Sequence, residues 1–234
     1  MNSHLIQLNE GNGEVEVINN LDAPLEKARA HLSIYNLDGT IAYQRDYDVS
    51  AAASVATSLG AVEWPAGLSA VHFVKLELRD TDGKLLSENF YWRAQPEHQD
   101  VLKALGSLPI VTLDAKVARR EVEGKSFFDV TLHNPWTQIA LMTHVQLRRK
   151  GSGERVLPVY YSDNYISLVP NESRTITIEA ATADLKGEAA HVLVDGWNVD
   201  VVASSSASGD IGLNVGAQMD HWPVTGLPIL STAK

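Results

Sequence analysis

Eight histidines, five tryptophans and several turn-bound carboxylates are the side chains in this 234-residue chain that could do chemistry. The histidines are His4, His31, His72, His98, His133, His144, His191 and His221. None stands in the His-x-x-x-His or His-Glu-x-x-His spacing that would aim two imidazoles at one zinc ion. Most fall inside alternating, strand-like runs, where an imidazole is expected to be solvated or to sit at a core edge. Asp80-Thr81-Asp82-Gly83 resembles the start of a calcium loop, but Asn89 stands where the closing bidentate glutamate belongs. The segment therefore reads as a plain turn. No Gly-x-Ser-x-Gly elbow, phosphate loop or dinucleotide fingerprint occurs, so no cofactor and no metal are expected. Trp64, Trp92, Trp136, Trp197 and Trp222 offer flat rings on which the C–H face of a sugar can stack. Trp136, which follows the Asn134-Pro135 corner, and Trp222 are the two least expected to be buried. Both are candidates for carbohydrate or domain-interface contact.

These residues must be positioned by strands, because the dominant hydrophobic period is two. In residues 72–79, Val74, Leu76 and Leu78 share one face, while Lys75, Glu77 and Arg79 share the other. The Asp80–Gly83 turn (residues 80–83) sends the chain back through residues 84–92 as a hairpin. With the runs around residues 14–18, 32–34 and 41–49, six or seven short strands fit before residue 94. The period then breaks. Pro96, the helical spacing of Val101, Leu102 and Leu105, and Gly106 mark a short helical linker. From Leu108 the alternation resumes. Val111, Leu113, Ala115 and Val117 are expected on one face, as are Phe128, Val130 and Leu132, and likewise Ile139, Leu141, Val145 and Leu147. The expected architecture is all-β: two immunoglobulin-like β-sandwich domains in tandem, at residues 1–94 and 107–202, joined by a linker at 95–106. Residues 203–234 begin as a small, polar stretch of linker type and continue too apolar for a free tail. They are expected to dock as a C-terminal extension.

Composition narrows the partners. The chain is 44% hydrophobic, enough for a packed core, and carries 29 acidic against 19 basic residues for a net charge of −10. Such a chain repels phosphate backbones and anionic lipid surfaces, so neither nucleic acid nor membrane is an expected partner. There is no cysteine, hence no disulfide framework and no thiolate chemistry. No apolar run approaches the roughly 20 residues of a bilayer span, and no signal peptide is visible at the N-terminus.

One stretch carries a specific likeness. Leu157-Pro158-Val159-Tyr160-Tyr161-Ser162-Asp163-Asn164-Tyr165-Ile166-Ser167-Leu168-Val169-Pro170, with Gly196-Trp197-Asn198 downstream, resembles the C-terminal immunoglobulin-like domain of glycoside hydrolase family 2 β-mannosidases and exo-β-glucosaminidases. Ser87-Glu88-Asn89-Phe90-Tyr91-Trp92 resembles the end of that family's penultimate domain, and His133-Asn134-Pro135 resembles one of its strand-end corners. From the residues themselves, the rings of residues 160–165 are expected to bury large areas. Ser162-Asp163-Asn164 should close a turn with side-chain oxygens, and Trp197 should plug the sandwich end. Tyr161, Asp163, Asn164 and Tyr165 join Trp136 and Trp222 as candidates for carbohydrate or interface contact.

The resemblance implies an intact enzyme that removes a terminal β-linked mannose or glucosamine with retention. Such an enzyme needs two carboxylates about 5 Å apart at the ends of barrel strands. In this clan the acid sits in an Asn-Glu pair. Asn9-Glu10 and Asn171-Glu172 are such pairs, but both lie in turn-like surroundings without βα alternation. No catalytic residue is therefore assigned. The expected role is support of a catalytic barrel upstream in a parent chain, whose carbohydrate substrate is the remaining partner. The alternative is a free-standing two-sandwich protein, either carbohydrate-binding or chaperone-like.

Overall fold

The computed structural model describes residues 3–94 and 96–205, and these form two immunoglobulin-like sandwiches. The first contains strands β1 (His4–Asn9), β2 (Glu14–Asn19), β3 (Leu25–Asn36), β4 (Ile41–Ala51), β5 (Ala56–Ala61), β6 (Val71–Asp80) and β7 (Leu85–Ala94). A three-stranded sheet in the order β1-β2-β5 packs on a four-stranded sheet in the order β4-β3-β6-β7. A 3-10 helix, Pro96–Ser107, leads to the second sandwich, as Pro96 and Gly106 suggest. There β8 (Asp114–Val122), β9 (Lys125–His133), β10 (Ala140–Arg149), β11 (Val159–Tyr161), β12 (Ile166–Leu168), β13 (Ser173–Ala181), β14 (Ala190–Asp195) and β15 (Val202–Ser205) make two four-stranded sheets. Their orders are β12-β10-β14-β15 and β11-β13-β9-β8.

Alternation explains the two cores. β1, β2 and, after Lys125, β9 switch between buried and half-buried at every residue, so one face of each enters its sandwich. Ile6, Val15, Val17, Leu32, Ile34, Val74, Leu76 and Leu78 fill the first core, and Phe128, Val130, Leu132, Val145, Leu147, Ile176 and Val192 fill the second. Each of the larger side chains contributes about 1.5–3 kcal/mol through burial.

A third apolar cluster lies between the sandwiches, and it corrects one sequence expectation. Tyr35, Val71 and Phe73 of the first sandwich meet Leu105 and Leu108 of the connection and Ile139, Leu141 and Val169 of the second. The cluster also covers part of the outer face of β6, where Lys75 is only 3% exposed. Ile139 and Leu141 were expected to share a face with Val145 and Leu147. A bulge in β10, with Met142 at φ 53°, separates them, so Ile139 and Leu141 face the junction while Ala140 turns into the core. Leu102, placed on the apolar stripe of the linker, is 43% exposed instead. A 3-10 turn does not keep the 3.6-residue stripe.

At the end of the described residues, Val202–Ser205 pairs with β14 (Val194↔Val202 through His191↔Ser205). Small polar residues read as linker, yet a backbone ladder needs no large side chain. Residues 206–234, with the expected docking segment and Trp222, lie outside the described residues.

The β3–β4 hairpin tip touches the second sandwich very closely. Gly39 sits at φ 87°, and a Cβ there would lie 2.2 Å from the carbonyl oxygen of Thr137. Gly39→Ala is therefore expected to lower unfolding free energy by about 1–3 kcal/mol, from left-handed strain plus loss of the contact. Urea denaturation checks this; an unchanged midpoint would mean that the tip contact holds nothing.

Candidate functional site

Ion pairs close the junction above the apolar cluster. Lys75 of β6 and Glu88 of β7 project from the outer face of the first sandwich, 3.4 Å apart. From the second sandwich come Glu172, in the turn after β12, and Arg174 of β13. Lys75 Nζ donates to Glu172, and Arg174 donates to Glu88. Arg174 also lies 3.8 Å from Glu172 and 3.5 Å from Asp163. Asn171, at φ 61°, makes the turn that delivers Glu172, whose second oxygen accepts the Val169 N–H at 3.0 Å. Two cations and three carboxylates thus alternate across the domain boundary, with the Lys75 side chain 4% exposed.

The two Asn-Glu pairs have unlike surroundings. Glu172 belongs to this network, while Glu10 pairs with Arg93 at 2.9 Å in the first sandwich. Each carboxylate already has a cationic partner, and both sit in turns. Among the described residues, no group of three or more His, Asp or Glu side chains is placed to hold a metal ion.

Strand register assembles one constellation that sequence reasoning missed. Ser33 Oγ lies 2.9 Å from His31 Nε2, and His31 Nδ1 lies 2.7 Å from Asp46. The distances are those of a Ser-His-Asp triad, but the setting is not. Ser33 is 2% exposed, and Gln44 Nε2 donates to its Oγ at 3.2 Å. β3 is paired on both sides, so its N–H groups serve the ladder and none is left for an oxyanion. These groups form a polar ladder on the sheet face. The signal was the register His31↔Asp46, which no local pattern reveals.

His72 occupies a buried pocket edge-on to Trp64, with ring centroids 5.5 Å apart. Its Nδ1 donates to the Ser69 carbonyl at 3.2 Å, and its Nε2 has no partner among the described residues. Burial pushes its pKa below the ordinary 6.5, with nearby Arg93 acting the same way and the Ser69 bond opposing. Burial lowers His191 as well, aided by Lys150 and Arg148. In both cases the unfolded chain binds the proton more readily. Their contribution to stability is complete above pH 6.5 and is lost as pH falls from there toward the folded values. The melting temperature is expected to drop between pH 7.5 and 5.5, and His72→Phe should flatten part of that drop. An equally steep profile in the variant would remove His72 from the account.

The segment at residues 157–165 shows why its residue types are needed. Between Thr143, the last residue of β10 paired with β12, and Arg148, which bridges to Arg155, β10 has a gap on that edge that side chains fill. Asn164 Oδ1 accepts the Val145 N–H at 2.8 Å, and its Nδ2 donates to the Val145 carbonyl at 3.0 Å. Tyr161 Oη accepts the Leu147 N–H at 3.4 Å. Asn164 and Tyr161 thereby cap an open sheet edge. Burial of the Tyr161 phenol raises its pKa. Ser162 bonds Thr177 across to β13, so the tripeptide is closed by long-range partners as well as by the local Asp163 Oδ1 bond to the Asn164 N–H. Contrary to the expectation of large buried rings, Tyr160 and Tyr165 are exposed. Tyr160 belongs to β11, a strand of the opposite sheet.

Of the candidate contact residues, Asp163 joins the junction network, Asn164 and Tyr161 hold the β10 edge, and Tyr165 stacks on His144. Trp136 is elsewhere: its indole N–H donates to the Thr112 carbonyl at 2.8 Å while the ring remains 44% exposed. Trp197 is half exposed as well. Instead of plugging the sandwich end, it donates its N–H to Leu105 at 2.8 Å and ties down the connection.

Two family models cover these elements. The immunoglobulin-fold domain of exo-β-D-glucosaminidase matches residues 89–199, and the mannosidase immunoglobulin/carbohydrate-binding-module-like domain matches residues 11–98. The exo-β-D-glucosaminidase of Streptomyces avermitilis is 34% identical over an alignment of 215 residues that covers 82% of this chain and 24% of that protein. That of Amycolatopsis orientalis is 32% identical, over 82% of this chain and 21% of its own length. The crystal structure of the A. orientalis exo-chitosanase superposes with a TM-score of 0.78 at 28% identity, covering 87% of this chain and 26% of that one. The chain thus spans about a quarter of the length of the curated relatives it matches.

Proposed function

Since the chain carries the paired immunoglobulin-like domains of glycoside hydrolase family 2 enzymes of the exo-β-glucosaminidase and β-mannosidase type, we propose that it is the non-catalytic C-terminal part of a retaining glycosidase. In this reading the two carboxylates that do the chemistry belong to a barrel upstream. The two sandwiches act together as a buttress that holds that barrel in place. The single observation that carries the reading is the junction, in which an apolar cluster and a charge network hold one sandwich against the other. A buttress must transmit position, which two freely hinged domains would not do.

Glucosamine is favoured over mannose as the terminal sugar. The family model over the second sandwich is that of exo-β-D-glucosaminidase, and the two relatives compared above carry the same name. The test begins with the native protein in its source cells, detected with an antibody to this chain. A species several times larger than 25.5 kDa is expected, with a higher kcat/KM on β-glucosaminides than on β-mannosides, while the 234-residue chain alone cleaves neither. A native species of 25.5 kDa would overturn the reading.

A further inference from the structure

The geometry points to a sugar-binding platform on the second sandwich: we propose that Tyr165, backed by His144, stacks one pyranose unit of a β-linked glycan. The inference rests on the glycosidase reading only for the choice of glycans to be tried.

Tyr165 lies almost parallel to the His144 ring, with 8° between planes and 4.5 Å between centroids. One face of the phenol is therefore occupied, yet the residue is 57% exposed, which leaves the other face to solvent. A flat, half-covered aromatic of this kind is what the C–H face of a pyranose packs against.

The platform is held in place from below. His144 Nδ1 bonds Asp195 at 2.9 Å, and Gln146 Nε2 donates to the other oxygen of Asp195 at 2.9 Å. Tyr165 itself is fixed at φ 56°, with its N–H donating to Asn164 Oδ1 at 3.0 Å, while Asn164 grips Val145. A ring already fixed in its binding pose loses little freedom when a ligand arrives.

The hydroxyl groups of the tyrosines make a contrast. Tyr91 and Tyr161 turn theirs inward to accept the backbone N–H groups of Leu8 and Leu147. Among the described residues, none bonds to the Tyr165 hydroxyl, which is free for a sugar. The side chain of Asp163, two residues away, is half exposed, and that of Asp195, beneath His144, is partly so. Asp163 can accept from a sugar hydroxyl, while Asp195 serves His144 and Gln146 on the side away from the open ring face. A polar surround of this kind suits a hydroxylated ligand better than the apolar core of a protein contact.

The experiment is calorimetric titration of the chain with three hexasaccharides: β-linked glucosamine, β-linked N-acetylglucosamine and β-linked mannose. At least one is expected to bind. Tyr165→Ala should weaken that binding by roughly tenfold or more, whereas Tyr165→Phe, which keeps the ring, should stay within about threefold. The melting temperature of Tyr165→Ala should remain near that of the parent, since the ring lies outside the core. Binding of the mannose hexamer alone supports the platform while counting against glucosamine as the enzyme's sugar. Failure of all three glycans to bind overturns the platform, as does undiminished binding by Tyr165→Ala. So does a large loss of stability in that variant, which would make the ring a packing element. If none binds and Tyr165 is shielded from iodination in a longer native protein, the ring is a domain contact instead.

Discussion

Lys75→Ala is expected to destabilise the chain by about 3–5 kcal/mol and to split its unfolding into two transitions. Lys75 lies on the outer strand face of the first sandwich but is buried by the second, where it serves Glu172 and Glu88 together. Without it, Glu88, Glu172 and Asp163 face Arg174 alone. Removing ions from water is costly, and the network is tolerable only because each charge finds an opposite one. A half-emptied network is therefore worse than an apolar junction. The double variant Lys75→Met with Glu172→Gln should accordingly cost much less than the sum of its parts. Urea unfolding followed by the fluorescence of Trp64 and Trp92 in one sandwich and Trp136 in the other can resolve the two transitions. One unchanged cooperative transition in Lys75→Ala would show that the ion network does not couple the domains.

Asn198→Ala is expected to have a comparable effect by another route. Asn198 is 1% exposed and ties three places together. Its Oδ1 accepts the Leu141 N–H at 2.8 Å, and its Nδ2 donates to the carbonyls of Pro109 and Ile139, each at 2.9 Å. Its backbone oxygen also accepts the Val111 N–H at 2.8 Å. Truncation leaves a buried N–H and two carbonyls short of a partner, each costing about 1–3 kcal/mol if water cannot reach them. A loss of about 3–5 kcal/mol is expected, read from the urea midpoint. Amide exchange should accelerate most at Leu141. Asn198→Asp, which can still accept from Leu141 but cannot donate, should leave Leu141 protected while still lowering stability. Fast exchange at Leu141 in both variants would mean that the side chain is not its acceptor.

The strands, both cores and the place of the connection were legible in the sequence, because alternation reports directly which face of a strand is apolar. Val74, Leu76 and Leu78 lie where their spacing puts them, and so do Phe128, Val130 and Leu132. The likeness of residues 157–170 and 196–198 to one enzyme family was legible too, since Asn164, Tyr161 and Asn198 each replace strand or turn hydrogen bonds that few other side chains could supply. Trp197 shows the limit. Its size suggested a core plug, but its N–H is required by Leu105, so the ring stays at the surface.

By itself, then, the sequence determined the all-β class, the two sandwiches and the family resemblance, because these follow from local periodicity and from motifs a few residues long. What covers the outer face of each strand was decided only by tertiary structure. Lys75 and Glu172 are 97 residues apart, and nothing near either one signals that it will be buried. A bulge at Met142 reverses which of the residues around it face the core, although their spacing gives no sign of it. His31, Ser33 and Asp46 meet only through strand register. Alternation tells a strand which side is apolar; the partner that meets its other side depends on how the two sandwiches pack, and that packing rests on contacts made far apart in the chain.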